Sequence, residues 1–275
     1  MDDRHRGGGP RLRECGGART DRLSDSLIPA HALDATGLVR AAFTTRLGGV
    51  SIGPYHSLNL SRNVGDDPEA VSTNRGRLAA LLGMAPRALV EAEQVHGSRA
   101  AVVASGGGPI PGMDALVTNR AGLWLAIYAA DCVPVLLVDA ETPGVAAVHA
   151  GWRGTAAGIV PETIARMRTA FGTDPERCTA TLGPAIGGCC YEVDLPVARA
   201  MEQAPWWPEA ARATGTERWH LDLRTAIRRQ LIDAGVPAVR IASVPLCTSC
   251  RPDLFFSYRR DGVTGRMAAC ISLLG

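Results

Sequence analysis

The sequence predicts a layered α+β fold on three observations: helices with matched start and stop residues, short apolar runs of strand length, and central runs too close together for crossover helices. Asp67-Pro68 opens the first helix, because an acidic N-cap precedes a proline whose missing N–H costs nothing at the first helical position. Val71, Leu78, Leu81 and Leu82 form its apolar face, and Gly83 ends it. Asp222 caps a second helix, with Leu223, Ile227 and Leu231 on one stripe and Gly235 as terminator. A third lies within residues 155–171, where Pro161 requires a late start or a kink. Apolar runs at 100–103, 123–128, 133–138, 144–149 and 239–244 read as strands. The three central runs are expected to pair as adjacent antiparallel or mixed strands. Their nearly continuous hydrophobicity requires both faces to be covered.

The chain has 275 residues with 46% hydrophobic content, and 29 basic against 27 acidic side chains. Near-neutral charge offers no polyanion-binding surface, so nucleic acid is not an expected partner. Every basic residue is arginine, which excludes a Schiff-base lysine, a pyridoxal phosphate anchor and the P-loop lysine. Any bound anion must be held by arginine, backbone amides or a metal. No apolar run is long enough to span a bilayer. Residues 1–26 are rich in Gly and Arg, lack the apolar core of a secretory signal, and are expected to be a disordered or variable extension. One domain is expected over 27–275. Eight cysteines without a regular framework point to free or metal-bound thiols in a reducing compartment, the cytoplasm.

Six histidines divide usefully. His5 and His31 fall in or near the start, His56 in a loop, and His220 just before a helix. His96 in EQVHGS and His149 in AVHAGWRG each end an apolar stretch and meet a glycine-bearing turn. Cys132, in YAADCVP, occupies the same kind of position between two strands. Two imidazoles and a thiolate would make a three-ligand zinc site with one open position, as in catalytic rather than structural zinc. Spacing alone does not decide this, since each residue taken singly is more often structural and no compact metal motif is present.

The strings TTRLGGVSIGPYHSLNLS, VGDDPEAVSTNR, QVHG, DALVT, ADCVPVLLVD, HAGWRGTAAGIV and CTSCRPDLFFSYRRDGVTGRM occur in this order. Together they resemble the YfiH-like purine nucleoside phosphorylase family, also called the polyphenol oxidoreductase laccase domain or peptidoglycan editing factor family, over about residues 40–270. The resemblance implies a four-layer αββα sandwich, shared with the catalytic domain of cytotoxic necrotising factor. It implies zinc held by His96, Cys132 and His149. It also implies phosphorolysis of adenosine, inosine, guanosine or methylthioadenosine, with adenosine deamination beside it. Asn63 departs from the pattern, since many relatives carry histidine there.

Phosphorolysis without lysine assigns phosphate to arginine, whose planar fork suits bidentate contact. Arg46 in TTRLGG is the first candidate, Arg260 in YRRDG the second and Arg153 in GWRG the third. A deaminase also needs a carboxylate for proton shuttling, and Glu93 and Asp131 stand near ligands in sequence. The HxE…PCxxC signature of cytidine-type deaminases is absent. Trp152 is a candidate for stacking on a purine. Cys247 and Cys250 form a CxxC with no second CxxC, a weak half-site for another zinc, and both thiols are expected to be reduced and packed. Adjacent Cys189 and Cys190 read as a pocket wall or tight turn. Two rival functions remain: a copper-dependent polyphenol oxidoreductase, for which six histidines are too few for a multicopper centre, and a metal-free Cys–His hydrolase acting on peptidoglycan precursors, with Cys132 as nucleophile.

Overall fold

The two capped helices form where their end signals place them. Pro68–Leu82 begins on Asp67, whose carboxylate accepts hydrogen bonds from the amides of Glu69 and Ala70, and ends on Gly83 at a φ of 66°. Leu223–Asp233 begins on Asp222, which accepts from the Arg224 amide. The expected third helix is two, Trp152–Ala156 and Ile159–Phe171, broken at Gly158 with a φ of 78°. Pro161 is not the break. It lies in the first turn, where no amide has an intrahelical acceptor to lose.

The protein is described by a computed structural model that covers residues 23–85 and 87–275. Residues 1–22 of the expected extension lie outside the described residues. Leu23–Ser26 form a 3-10 turn, and the Ser26 hydroxyl, buried, donates to the Leu47 carbonyl at 2.8 Å.

Among the described residues two six-stranded mixed sheets carry the fold. The first contains β1 (Leu27–Pro29), β2 (Val39–Thr44), β3 (Leu89–Glu93), β5 (Ile110–Pro111), β7 (Trp124–Ala129) and β15 (Met267–Leu273), in the order β1-β2-β15-β7-β3-β5. The second contains β4 (Ala100–Val102), β6 (Ala115–Thr118), β8 (Val133–Asp139), β9 (Gly144–Ala150), β10 (Cys178–Leu182) and β14 (Ile241–Ser243), in the order β14-β10-β8-β9-β6-β4. A small third sheet joins β11 (Glu192–Asp194), β12 (Ala211–Gly215) and β13 (Arg218–Leu221).

Side-chain alternation builds the layers. In β7 and β15, Leu125, Ile127, Ala269 and Ile271 face inward against Leu136, Val138, Val145 and Ala147 of β8 and β9. Their neighbours Trp124, Ala126, Ala268 and Cys270 face outward and are covered by Leu78 and Leu82 of the 68–82 helix. On the other side Val135, Leu137 and Val148 pack under Ile164, Met167 and Ile227. The result is an αββα sandwich, and the central runs are covered on both faces as their composition requires.

Two strand expectations are corrected. β8 and β9 pair antiparallel, but β7 pairs with β15 and β3 in the opposite sheet. Ala130-Asp131-Cys132 is therefore a crossing between sheets rather than a hairpin. Run 239–244 begins as a 3-10 turn, Ala238–Arg240, with strand only over Ile241–Ser243, because Val239 is solvent-exposed.

Candidate metal centre and cavity

The sheet crossing, the end of β9 and the turn after β3 meet at one end of the sandwich. His149 stands on β9 and is buried, His96 lies on the turn after β3, and Cys132 leads into β8. One ligand atom from each residue lies within 4.8 Å of the others. The two imidazoles meet edge to face, with ring centroids 4.8 Å apart.

Asp114 assembles this group. Its carboxylate is fully buried and accepts four hydrogen bonds: from His149 Nδ1 at 2.8 Å and from the amides of His96 at 2.9 Å, Gly97 at 2.7 Å and Val95 at 3.3 Å. Fixing Nδ1 against a carboxylate leaves Nε2 of His149 for Cys132 or a metal, the usual outer-shell arrangement for a ligating histidine. Burial raises the Asp114 pKa, but hydrogen bonds from His149, Gly97 and Val95 bring it below its ordinary value. Burial opposes charge on Cys132 too, yet His149 and then His96 hold its thiol down at about 6. Burial likewise disfavours a charged His149, and the Cys132 thiolate and Asp114 raise it to about 9.

The donor set fits a metal. Bonds of about 2.0–2.3 Å place tetrahedral donors roughly 3.5 Å apart, a small closure from the separations observed. Gly151 provides the room: a Cβ there would stand 2.9 Å from Cys132 Sγ and 3.3 Å from His96 Cδ2.

The group opens on a cavity of about 610 Å³, within the range of small-molecule sites. Tyr128, Trp152, Tyr191 and Tyr258 give it aromatic walls, and Asn63 lies on its rim. Among the described residues three arginines reach it: Arg153, Arg259 and Arg266. Arg153 is exposed and stacks on Trp152 at 4.3 Å, and Arg259 stacks on Tyr191 at 4.7 Å. Arg266 is half-buried, with one guanidinium nitrogen donating to the carbonyls of Thr264 and Gly265.

Of the three arginines expected to hold phosphate, Arg153 lines the cavity, whereas Arg46 and Arg260 are not among its lining residues. Arg46 donates to the carbonyls of His56 and Pro252 and lies over the Phe256 ring. Arg260 donates to the carbonyls of Thr248, Ser249 and Phe255 and to the Asp261 carboxylate. Both guanidiniums hold loops together.

Glu93 is exposed and is not on the cavity wall. Asp131 is on it, but both carboxylate oxygens are committed, one to the Thr248 hydroxyl at 2.6 Å and one to the Arg259 amide at 2.6 Å. Cys189 and Cys190 approach Cys247 and Cys250. Cys247 is buried, as expected of a packed thiol, but Cys250 is exposed. Asp114, Gly151, Tyr191, Arg259 and Arg266 were not singled out from sequence. Asp114 carried a readable signal, a carboxylate directly before the apolar run Ala115–Val117.

Two facing mixed sheets between helix layers, with a His–Cys–His group at the open end beside an arginine-lined cavity, define a class of αββα proteins built around a candidate metal centre. The chain belongs to the multi-copper polyphenol oxidoreductase laccase family, whose model matches residues 40–274. It is 45% identical over 238 residues to a purine nucleoside phosphorylase of Corynebacterium glutamicum, covering 86% of this chain and 94% of that one. It is 43% identical over 243 residues to purine nucleoside phosphorylase YlmD of Geobacillus stearothermophilus, covering 84% of this chain and 89% of that one. The Bacillus licheniformis YfiH structure superposes with a TM-score of 0.87 at 36% identity, covering 92% of this chain and 98% of that chain.

Proposed function

We propose that this protein is a zinc-dependent purine nucleoside phosphorylase that uses phosphate to release the base and form ribose 1-phosphate. The observation that carries this reading is the His96–Cys132–His149 group on a cavity also lined by Arg153, Arg259 and Arg266. Relatives named purine nucleoside phosphorylase align over most of the chain.

In this reading His96, Cys132 and His149 hold the zinc, which when bound supplies Lewis acidity at the cavity floor. Arg266, with Arg153 and Arg259, binds phosphate and aims one oxygen at C1′ of the ribose. The new C1′–O bond forms as the C1′–N bond breaks, and the purine leaves with the electron pair of that bond. Tyr191 and Trp152 are held in place by stacked guanidiniums and present rings to the base. Asn63 offers the substrate a neutral amide on the cavity wall. Among the described residues Asp131 is the one acid on the cavity wall, and its engaged oxygens favour phosphorolysis over deamination.

A second reading is favoured by one observation: Asp114, His149 and Cys132 also line up as an orienting acid, a base and a thiol nucleophile. Copper at the same three donors is the third. The reducing cytoplasm suits all seven described cysteines being free, and no helix among the described residues is long and apolar enough to cross a membrane.

The test is metal analysis of protein purified without added metal, then incubation with adenosine and phosphate beside a Cys132→Ala variant. Zinc at the His–Cys–His group, lost in the variant together with adenine and ribose 1-phosphate release, supports the proposal. Metal-free protein with a reactive Cys132 and no turnover moves the hydrolase reading to first place.

A further inference from the structure

Four of the cysteines lie away from the His–Cys–His group, on two turns far apart in sequence. Cys189 and Cys190 end the Gly187-Gly188 turn, and Cys247 and Cys250 bracket a second turn that is tied to the first by a parallel bridge between Ala185 and Cys247. All four sulfurs lie within 4.8 Å of one another. Cys250 Sγ stands 3.6 Å from Cys189 Sγ and 3.3 Å from Cys190 Sγ.

We propose that Cys189, Cys190, Cys247 and Cys250 form a second metal site, a tetrathiolate zinc clip that closes the wall of the cavity and takes no substrate. Zinc–sulfur bonds of about 2.3 Å set tetrahedral sulfurs roughly 3.8 Å apart, close to the separations present. Four thiolates fill the coordination sphere and leave no open position, which makes the site structural. A disulfide would use two of these sulfurs and leave the other pair without a reason to converge.

The surroundings suit thiolates. The Gly187 amide donates to Cys247 Sγ at 3.3 Å. A Cβ at 187 would meet Cys189 Sγ at 3.2 Å and Cys247 Cβ at 3.5 Å, so glycine leaves the sulfurs space. The Arg224 guanidinium donates to the carbonyls of Val244 and Leu246 and comes within 3.1 Å of the same Cβ position at Gly187, where it partly balances the net negative charge of a zinc tetrathiolate.

The clip acts on the cavity through its neighbours. Tyr191 follows Cys190 directly and lines the cavity. Thr248, between the clip cysteines, donates to Asp131 of the sheet crossing, and Arg260 binds the carbonyls of Thr248 and Ser249. One ion would therefore fix the Tyr191 wall and the loop carrying Arg259 against the Asp131–Cys132 crossing.

The test uses the full chain with Cys132→Ala, so that the His–Cys–His group cannot contribute a sulfur. Zinc is counted by mass spectrometry and its ligands are read by X-ray absorption. About one zinc per chain with four sulfurs at about 2.3 Å supports the clip. Adding Cys189→Ser and Cys250→Ser should then remove that zinc. Metal-free Cys132→Ala protein, zinc bound by nitrogen or oxygen, or an intact mass lowered by a disulfide between two of the four cysteines each overturns it. The ligation readout needs no clip substitution, so it stands even where the double variant fails to fold. Failure of the phosphorylase proposal leaves a different pattern: wild-type protein would still hold one zinc with all-sulfur ligation.

Discussion

Asp114→Asn is the substitution that most directly probes the assembly of the centre. Asn keeps the shape but has one acceptor oxygen where Asp114 has two, and each carboxylate oxygen now serves two donors. If the amide oxygen faces His149 and His96, its NH2 group faces the amides of Gly97 at 2.7 Å and Val95 at 3.3 Å. If it is flipped, the NH2 group faces His149 Nδ1 at 2.8 Å and the His96 amide at 2.9 Å. Either way two donors lose their acceptor, and at least one of the lost hydrogen bonds is short, buried and charge-assisted. That costs about 3 kcal/mol, taking about 1.5–3 kcal/mol for the bond and the unsatisfied donor together as the guide. For a chain of this size it lowers the metal-free melting temperature by about 6–12 °C. Outer-shell partners of ligating histidines are worth about 10–100-fold in metal affinity, so zinc should bind that much more weakly. Competition with a chromophoric chelator measures the affinity, and scanning calorimetry of the metal-free protein measures the stability. Zinc affinity within twofold of wild type would refute the role given to Asp114.

Four further outcomes are expected. Arg266→Ala should raise the phosphate KM by about 10- to 100-fold, the value of one charge-assisted contact, whereas Arg46→Ala should lower the melting temperature and leave that KM unchanged in the same steady-state assay. Gly151→Ala should abolish zinc binding at the His–Cys–His group, as read by metal analysis, while costing the fold about 1–3 kcal/mol for the added methyl. His96→Ala should remove the zinc of the His–Cys–His group together with turnover, leaving only the zinc of the four-cysteine clip; turnover that survives it would favour the Cys132–His149 hydrolase reading, which does not need His96. Tyr128 is pushed well above its ordinary pKa, chiefly by burial. The folded state therefore keeps its proton after the unfolded chain has lost one, and stability falls as pH rises above about 10. Tyr128→Phe should flatten the pH dependence of unfolding free energy, by about 1 kcal/mol between pH 10 and 11, measured by chemical denaturation.

What the sequence showed and what it hid follow from the range of the interactions. Asp67, Gly83, Asp222 and Gly235 act on amides and carbonyls within a turn, so the helices they bound were legible. The covering of both faces of 133–138 and 144–149 was legible because burial is written in composition. Strand partnership was not: β7 and β8 are neighbours in sequence but lie in opposite sheets, and only tertiary pairing of β7 with β15 decides this. The arginines illustrate the same limit. Arg259 and Arg260 are adjacent, yet one faces the cavity and the other is consumed by loop carbonyls. The Cys247–Cys250 pair looked like half a site because its other half is the Cys189–Cys190 dipeptide on a remote turn.

The centre also explains two backbone conformations that would otherwise be costly. His96 and Asp131 are non-glycine residues with φ of 59° and 93°. Side chains disfavour that region by about 1–2 kcal/mol per residue, and such residues persist only where their surroundings hold them. A buried carboxylate holds each one. Asp114 takes the amides of residues 95–97 in one cluster, which locks the turn that presents His96. Asp131 spends its own side chain on Thr248 and Arg259, and its carbonyl accepts the Ile186 amide, which locks the crossing that presents Cys132. His149, on a regular strand, needs no such device and receives only its orientation from Asp114. Two strained turns are thus aimed at one rigid strand, and the strain is offset by hydrogen bonds that involve no substrate. The fold can therefore hold three donors ready before any ligand arrives.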